Sequence, residues 1–361
     1  MRNKLCMLAA LACFALAPAA QAQTYFFVGP AGGDFFDEAN WNTMSDGTGS
    51  IPAGDPIQDS TTNAITLDLI IDGDTVEAAG EVDFGPGSLT LLTGSMLSIT
   101  GAGNDLDINS DSTFSFTGAT LEVNDIINFE GTSTFSGGVV TSVTDDIVFQ
   151  NQFISLIIDG TTFNAQDTVQ FEGPTPGSIA NAVFNVVDQF GLRDDGDGTA
   201  NVVMTNTSID IDANGSTSGG DIQNVFSGDA IGSSLTLLGA STLRADAVEE
   251  GADLILGGTS VATLGVHFEE RITADGSTIT MLTPGAKLNV VALDNLAAEY
   301  VDSRPFLING ITGVDYATDP STWNVTNWDG FSAVSLQIVP EPGTSMLALA
   351  GLALFGMRRR R

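Results

Sequence analysis

Asp125-Ile126-Ile127-Asn128-Phe129 is followed by Asp145-Asp146-Ile147-Val148-Phe149 and then by Asp167-Thr168-Val169-Gln170-Phe171. Each segment opens on an aspartate and closes on a phenylalanine. The phenylalanines stand 20 and 22 positions apart. Ser112-Thr113-Phe114-Ser115 returns 21 positions later as Ser133-Thr134-Phe135-Ser136, and Asn128-Phe129-Glu130-Gly131 is echoed by Gln170-Phe171-Glu172-Gly173. A period of this length suits one coil of a solenoid, with three short strands and three turns. Equivalent side chains then pile up along the axis. Phe129, Phe149 and Phe171 are expected to form one inward ladder, and Phe114 and Phe135 another. No coil is stable alone, because each buries its face on the next. Asp221-Ile222-Gln223-Asn224-Val225-Phe226 is a more distant copy.

The surrounding chain agrees with an all-β protein. No stretch sustains a 3.6-residue period. Short alternations such as Leu89-Thr90-Leu91, Leu97-Ser98-Ile99 and Thr113-Phe114-Ser115-Phe116 recur between turns rich in Gly, Ser, Thr, Asp and Asn. The expected fold is a right-handed parallel β-helix with end caps. A β-sandwich of jelly-roll type is the alternative that the same strands would build.

The two ends are of another character. Arg2 and Lys4 precede an apolar run from Leu5 to Ala17 and the small-x-small site Ala20-Gln21-Ala22, the anatomy of a signal peptide. The mature chain is then expected to start at Gln23. Cys13 as a lipobox cysteine is the competing reading, but Ala10 stands where leucine is usual. At the other end come Val339-Pro340-Glu341-Pro342-Gly343-Thr344, an apolar run from Ser345 to Met357, and Arg358-Arg359-Arg360-Arg361. This three-part tail resembles the PEP-CTERM sorting signals of bacterial proteins that exosortase cuts. The resemblance implies export, transient retention at the inner membrane of a Gram-negative-type bacterium, and cleavage near Pro340-Glu341-Pro342. Release or attachment at the cell surface follows. Signal peptidase and exosortase are the implied processing partners.

Physical reasoning supports a transient anchor. The 14 residues from Thr344 to Met357 span roughly 21 Å as a helix, short of the roughly 30 Å hydrocarbon core. Snorkelling arginines extend that reach, and Arg358, Arg359, Arg360 and Arg361 hold the end in the cytoplasm. Pro340 and Pro342 then keep the cleavage segment extended on the outer side.

Trimming both ends changes the charge. Cys6 and Cys13 both lie in the leader, so the body has no disulfide and depends on packing and hydrogen bonds. Glu341 is the one acidic residue of the 45 outside the body, and five basic residues remain: Arg193, Arg244, Arg271, Lys287 and Arg304. The body's net charge is 5 − 44 = −39. Such a surface repels nucleic acid and anionic lipid.

The chain divides into a signal peptide (1–22), an N-terminal cap (23–60), a solenoid body (61–299), a C-terminal cap (300–338) and the sorting tail (339–361). Gly33-Asp34-Phe35-Phe36-Asp37-Glu38-Ala39-Asn40-Trp41 resembles the opening of secreted planctomycete-like β-helical proteins. Its aromatic cluster is expected to close the stack, which otherwise exposes unpaired strand edges. Tyr300, Tyr316, Trp323, Trp328 and Phe331 are placed at the other end. The alternative is that Trp323 and Trp328 form a sugar-stacking platform.

Candidate chemistry is sparse. His267 is the single histidine, and with no body cysteine a transition-metal site of the usual kind is disfavoured. Asp194-Asp195-Gly196-Asp197-Gly198-Thr199 is the candidate metal turn, with Asp194, Asp195 and Asp197 as carboxylate ligands for Ca²⁺. It departs from an EF-hand loop, because Arg193 would take the first position and Met204 the twelfth. Asp72-Gly73-Asp74 reads as a turn. The basic residues are too scattered for the proton abstraction and carboxylate neutralisation of a β-helix lyase, and acidic pairs alone do not define a glycosidase. The expected role is non-catalytic: an exported structural or adhesive component of the surface or extracellular matrix, with extracellular polysaccharide as a possible partner. A carbohydrate-binding module is the alternative, followed by a polysaccharide-degrading enzyme.

Overall fold

The computed structural model describes residues 23–53, 57, 64–150, 155–173, 177–193, 199–211, 233–245, 248, 253–264, 278–283 and 285–292, together with four short strands beyond them. These residues form a parallel β-solenoid. Its sides are a 12-stranded, a 13-stranded and a 6-stranded sheet, called here the first, second and third. The chain visits them in turn. One coil runs Thr113–Thr117, Thr120–Val123, Ile127–Phe129, and the next runs Thr132–Ser136, Val139–Ser142, Ile147–Phe149. Each strand pairs in parallel with its equivalent one coil away, which excludes the antiparallel sandwich. The third sheet ends at Gln189–Arg193; later described coils have strands in the first two sheets only.

Alternation explains the strands. In Thr113–Thr117 the phenylalanines face inward and the hydroxyl residues outward. The interior is a continuous apolar column in which Phe114, Phe129, Phe149, Phe163, Phe171 and Phe184 are fully buried. Phe129, Phe149 and Phe171 are in register, with ring centroids 5.5 and 4.7 Å apart and nearly parallel planes. A second stack, Phe163 on Phe184 at 5.0 Å, comes from the second sheet.

The other expected ladder is corrected. Phe135 pairs with Phe116, while Phe114 faces Ser133. Phe114 and Phe135 still touch, at 5.4 Å, but diagonally. The Ser-Thr-Phe-Ser likeness is thus two residues out of step with the pairing. Strand register follows the intervening turns and the inward pattern, not the identity of a four-residue string.

The corner between the first and second sheets is built from left-handed backbone. Gly118, Gly137, Gly160, Asn181, Asn206 and Gly239 occupy successive coils with φ between 54° and 74°. Each N–H of Gly118, Gly137, Gly160, Asn181 and Asn206 donates to a carbonyl of the following coil. Glycine suits this conformation, and asparagine is the side chain that best tolerates it.

At the N-terminal end Trp41–Asn42 adds antiparallel to Thr24–Phe27 and finishes the first sheet. Trp41 is fully buried, edge-on to Phe27 and Phe35, and its indole N–H donates to the Phe35 carbonyl at 2.8 Å. At the far end Phe331–Gln337 pairs antiparallel with Lys287–Ala292, and Trp323–Trp328 adds outside it. Both devices end a parallel stack with an antiparallel strand.

Candidate functional site

The corner preceding the third sheet carries the densest chemistry among the described residues. Asp125, Asp145 and Asp167 stand at equivalent positions of three coils, four residues before Phe129, Phe149 and Phe171. Asp146 joins them beside Asp145. Carboxylate oxygens of Asp145, Asp146 and Asp167 all lie within 4.8 Å of one another, and each residue is half-buried. The backbone holds part of the cluster in place. Asp146 Oδ1 accepts the Thr168 N–H at 2.8 Å, and one coil earlier but one Asp105 Oδ1 accepts the Ile126 N–H at 3.1 Å.

Stacking aspartates in register has an electrostatic cost. Burial pushes the Asp146 carboxyl up to about 6, and the charges of Asp167 and Asp145 add to this against the opposing Thr168 hydrogen bond. Burial also raises Asp145, helped by its hydrogen bond to and repulsion from Asp125. Asp105 is raised by burial as well, with the Ile126 N–H opposing. The cluster can relieve this strain by taking up a proton or a hard cation, for which carboxylate oxygens are the natural ligands.

A second acidic row crosses the outer face of the third sheet. Asp83 pairs in register with Asp107, and each is bridged to an amide: Asn109 Nδ2 donates to Asp83 Oδ1, and Asn128 Nδ2 to Asp107 Oδ1, both at 2.6 Å. Burial and the Asp107 charge raise Asp83. The second sheet bears a shallow groove of about 570 Å³. Its floor includes an amide and hydroxyl chain in which Asn185 Nδ2 donates to Asn164 Oδ1 at 2.8 Å and Asn164 Nδ2 to Thr141 Oγ1 at 3.2 Å. Asp210 continues this row and is held by Arg244 at 3.0 Å, while Val143 and Val187 line the side. Arg193 pairs with Glu172 at 3.4 Å.

The candidate calcium turn, Asp194, Asp195 and Asp197, lies outside the described residues, as do His267, Ala20, Ala22, the motif Val339, Pro340, Glu341 and Pro342, and Arg358 to Arg361. Gln23 is exposed one position before the first strand. Asp72-Gly73-Asp74 is a bend between two strands, with Gly73 at φ 78°. The Asp145–Asp146–Asp167 cluster was not singled out from sequence. Its signal was present in the aspartate that opens each repeat, but only coil stacking converts that recurrence into contact.

The fold defines a class, an all-β parallel solenoid, and the tail adds an address. The family model of the PEP-CTERM protein-sorting motif matches residues 339–361. The chain therefore carries a PEP-CTERM signal, which marks it for export, exosortase processing and cell-surface sorting in Gram-negative bacteria. No curated protein and no solved structure matches the chain, so the likeness of its opening to planctomycete-like β-helical proteins rests on the residue pattern alone. Among the described residues no helix is long and apolar enough to cross a membrane.

Proposed function

We propose that this exported protein is a non-catalytic structural or adhesive component of the bacterial surface or extracellular matrix. The observation that carries the reading is the regularity of the outside. Stacking brings hydroxyls, amides and carboxylates into continuous rows along the rod, while the interior is filled by apolar side chains. Rows of this kind suit repetitive partners, including polymers and other solenoids, better than a single small substrate. The leader ending at Ala22 and the apolar run before Arg358 deliver the solenoid and hold it until cleavage.

The test is a deletion strain compared with its parent for cell–cell aggregation, surface attachment and biofilm mass. Loss of any of these, restored by the wild-type gene, supports the reading. Unchanged behaviour in all three rejects it.

The groove over Thr141, Asn164 and Asn185 favours neutral carbohydrate binding as a second reading, because its floor offers donors and acceptors beside the apolar Val143 and Val187. Absence of signal on a neutral-glycan array would reject it.

A further inference from the structure

We propose that the outward face of the first sheet is a homotypic docking surface, on which a second copy of this chain packs sheet against sheet. The inference deepens the structural and adhesive reading by naming one partner.

The three faces differ in where they carry charge. In the second sheet the mid-strand outward row includes Glu77, Glu122, Asp210 and Arg244, and in the third it includes Asp83 and Asp107. The equivalent row of the first sheet passes from Ile70 to Thr280 through ten of the twelve strands and contains threonine, serine, isoleucine and valine alone. The acidic residues in this sheet's strands are Asp68, Asp159 and Asp253, all at strand ends, and its strands hold no basic residue. In a chain of net charge −34 this is the face on which two copies can approach with least repulsion.

Size and relief fit the same occupant. Ten strands at about 4.8 Å spacing, each four to five residues at about 3.3 Å, make a patch of roughly 700 Å². That is close to the roughly 800 Å² per partner of a standard specific interface. Near its centre Ile157 and Val203 remain 42% and 50% exposed, with Ser178 between them in register. Branched aliphatic side chains flanking a small residue form two knobs and a gap. A two-fold axis lying between the two faces, parallel to the strands and over Ser178, sets Ile157 of one copy against Val203 of the other, so the same apolar contact is made twice, as an isologous interface requires.

The experiment is sedimentation velocity on the protein recovered from its host after export, over a range of concentrations at low and high salt. Wild type is expected to sediment with twice the chain mass, and more completely at high salt, where residual repulsion is screened. Ile157→Asp with Val203→Asp should sediment as a single chain. Ile157→Ser with Val203→Ser adds no charge and should weaken association at least about tenfold. Glu122→Gln, on the second sheet, should leave it unchanged. Circular dichroism and melting temperature establish that each variant is folded. A wild type that stays single throughout, or serine and aspartate variants that associate as well as wild type, overturns the proposal. A single chain that pellets with insoluble neutral polysaccharide also overturns it and gives the face to that polymer. An adhesion defect on deletion together with a single-chain protein would leave the surface role standing and remove this inference alone.

Discussion

Phe149 stacks on Phe171 with ring centroids 4.7 Å apart and planes inclined by 13°, one full coil apart in the chain. Phe129 lies on the other side at 5.5 Å, and Phe163 meets Phe149 edge-on at 5.5 Å. This is the physical content of the repeat. A phenylalanine returns once per coil because its predecessor presents a flat apolar surface to be covered.

Phe149→Ala should therefore be among the most damaging single substitutions. Truncating a fully buried phenylalanine typically costs about 3–5 kcal/mol, from lost transfer energy and the cavity left behind. Chemical denaturation is expected to show a lower midpoint. Ile51→Ala, at an exposed position away from the first sheet's outward face, is the reference, and its effect should be small.

Ser133 gives a prediction of opposite sign. It is buried opposite Phe114 and Leu156, and its hydroxyl has no hydrogen-bond partner. An unsatisfied buried polar group costs about 1–3 kcal/mol. Ser133→Ala is expected to raise the melting temperature, with a folded baseline spectrum identical to wild type.

Gly138→Ala should destabilise for a backbone reason. Gly138 has φ of 80°, and an added Cβ would fall 2.7 Å from the Phe116 ring and closer still to the Ala119 carbonyl. Strain of about 1–3 kcal/mol in the left-handed region adds to the steric clash. A fall in the denaturation midpoint checks this, and Asn181→Gly, at the tolerant corner position, should be nearly neutral.

The aspartate corner predicts an unusual pH dependence. Asp146 is raised from the ordinary 3.8 to about 6 by burial, so between those values the folded state binds its proton more tightly than the unfolded state. Stability then falls as pH rises through that window and stays low above it. Asp145, Asp105, Asp83 and Glu130 are raised too, each chiefly by burial, and act in the same direction. The melting temperature should be higher at pH 5 than at pH 7.5. Asp146→Asn, which keeps the oxygen for the Thr168 N–H, should raise the value at pH 7.5 and reduce the difference.

The sorting tail is tested in the cell. Replacing Pro340, Glu341 and Pro342 together by alanine is expected to leave the chain uncut, seen as a larger species in the membrane fraction by immunoblot.

Several features were legible without coordinates. A period near 20 to 22 with inward phenylalanine identified a solenoid, and the 129–149–171 ladder could be aligned because an identical frame of aspartate, β-branched residues and phenylalanine surrounds it. The sorting tail was readable because membrane signals are local: a charge, an apolar length and a proline punctuation act where they stand. The left-handed corner was not read from the sequence, because Asn181 and Asn206 interrupt its glycines and only the coil stacking aligns them.

What the linear order determined, then, is everything set by short-range pattern: strand content, coil length, net acidity and destination. Tertiary structure decided what depends on register between coils, a relation that no single coil contains. It shifted Phe135 from Phe114 to Phe116, because pairing answers to turns and packing. It gathered Asp145, Asp146 and Asp167 into one cluster, because parallel stacking places equivalent side chains a strand spacing apart. It also sorted the outward residues by sheet, leaving one face whose mid-strand row is uncharged on a strongly acidic chain, since alternation says only that a side chain points out and the three-sided coil decides which side it shares.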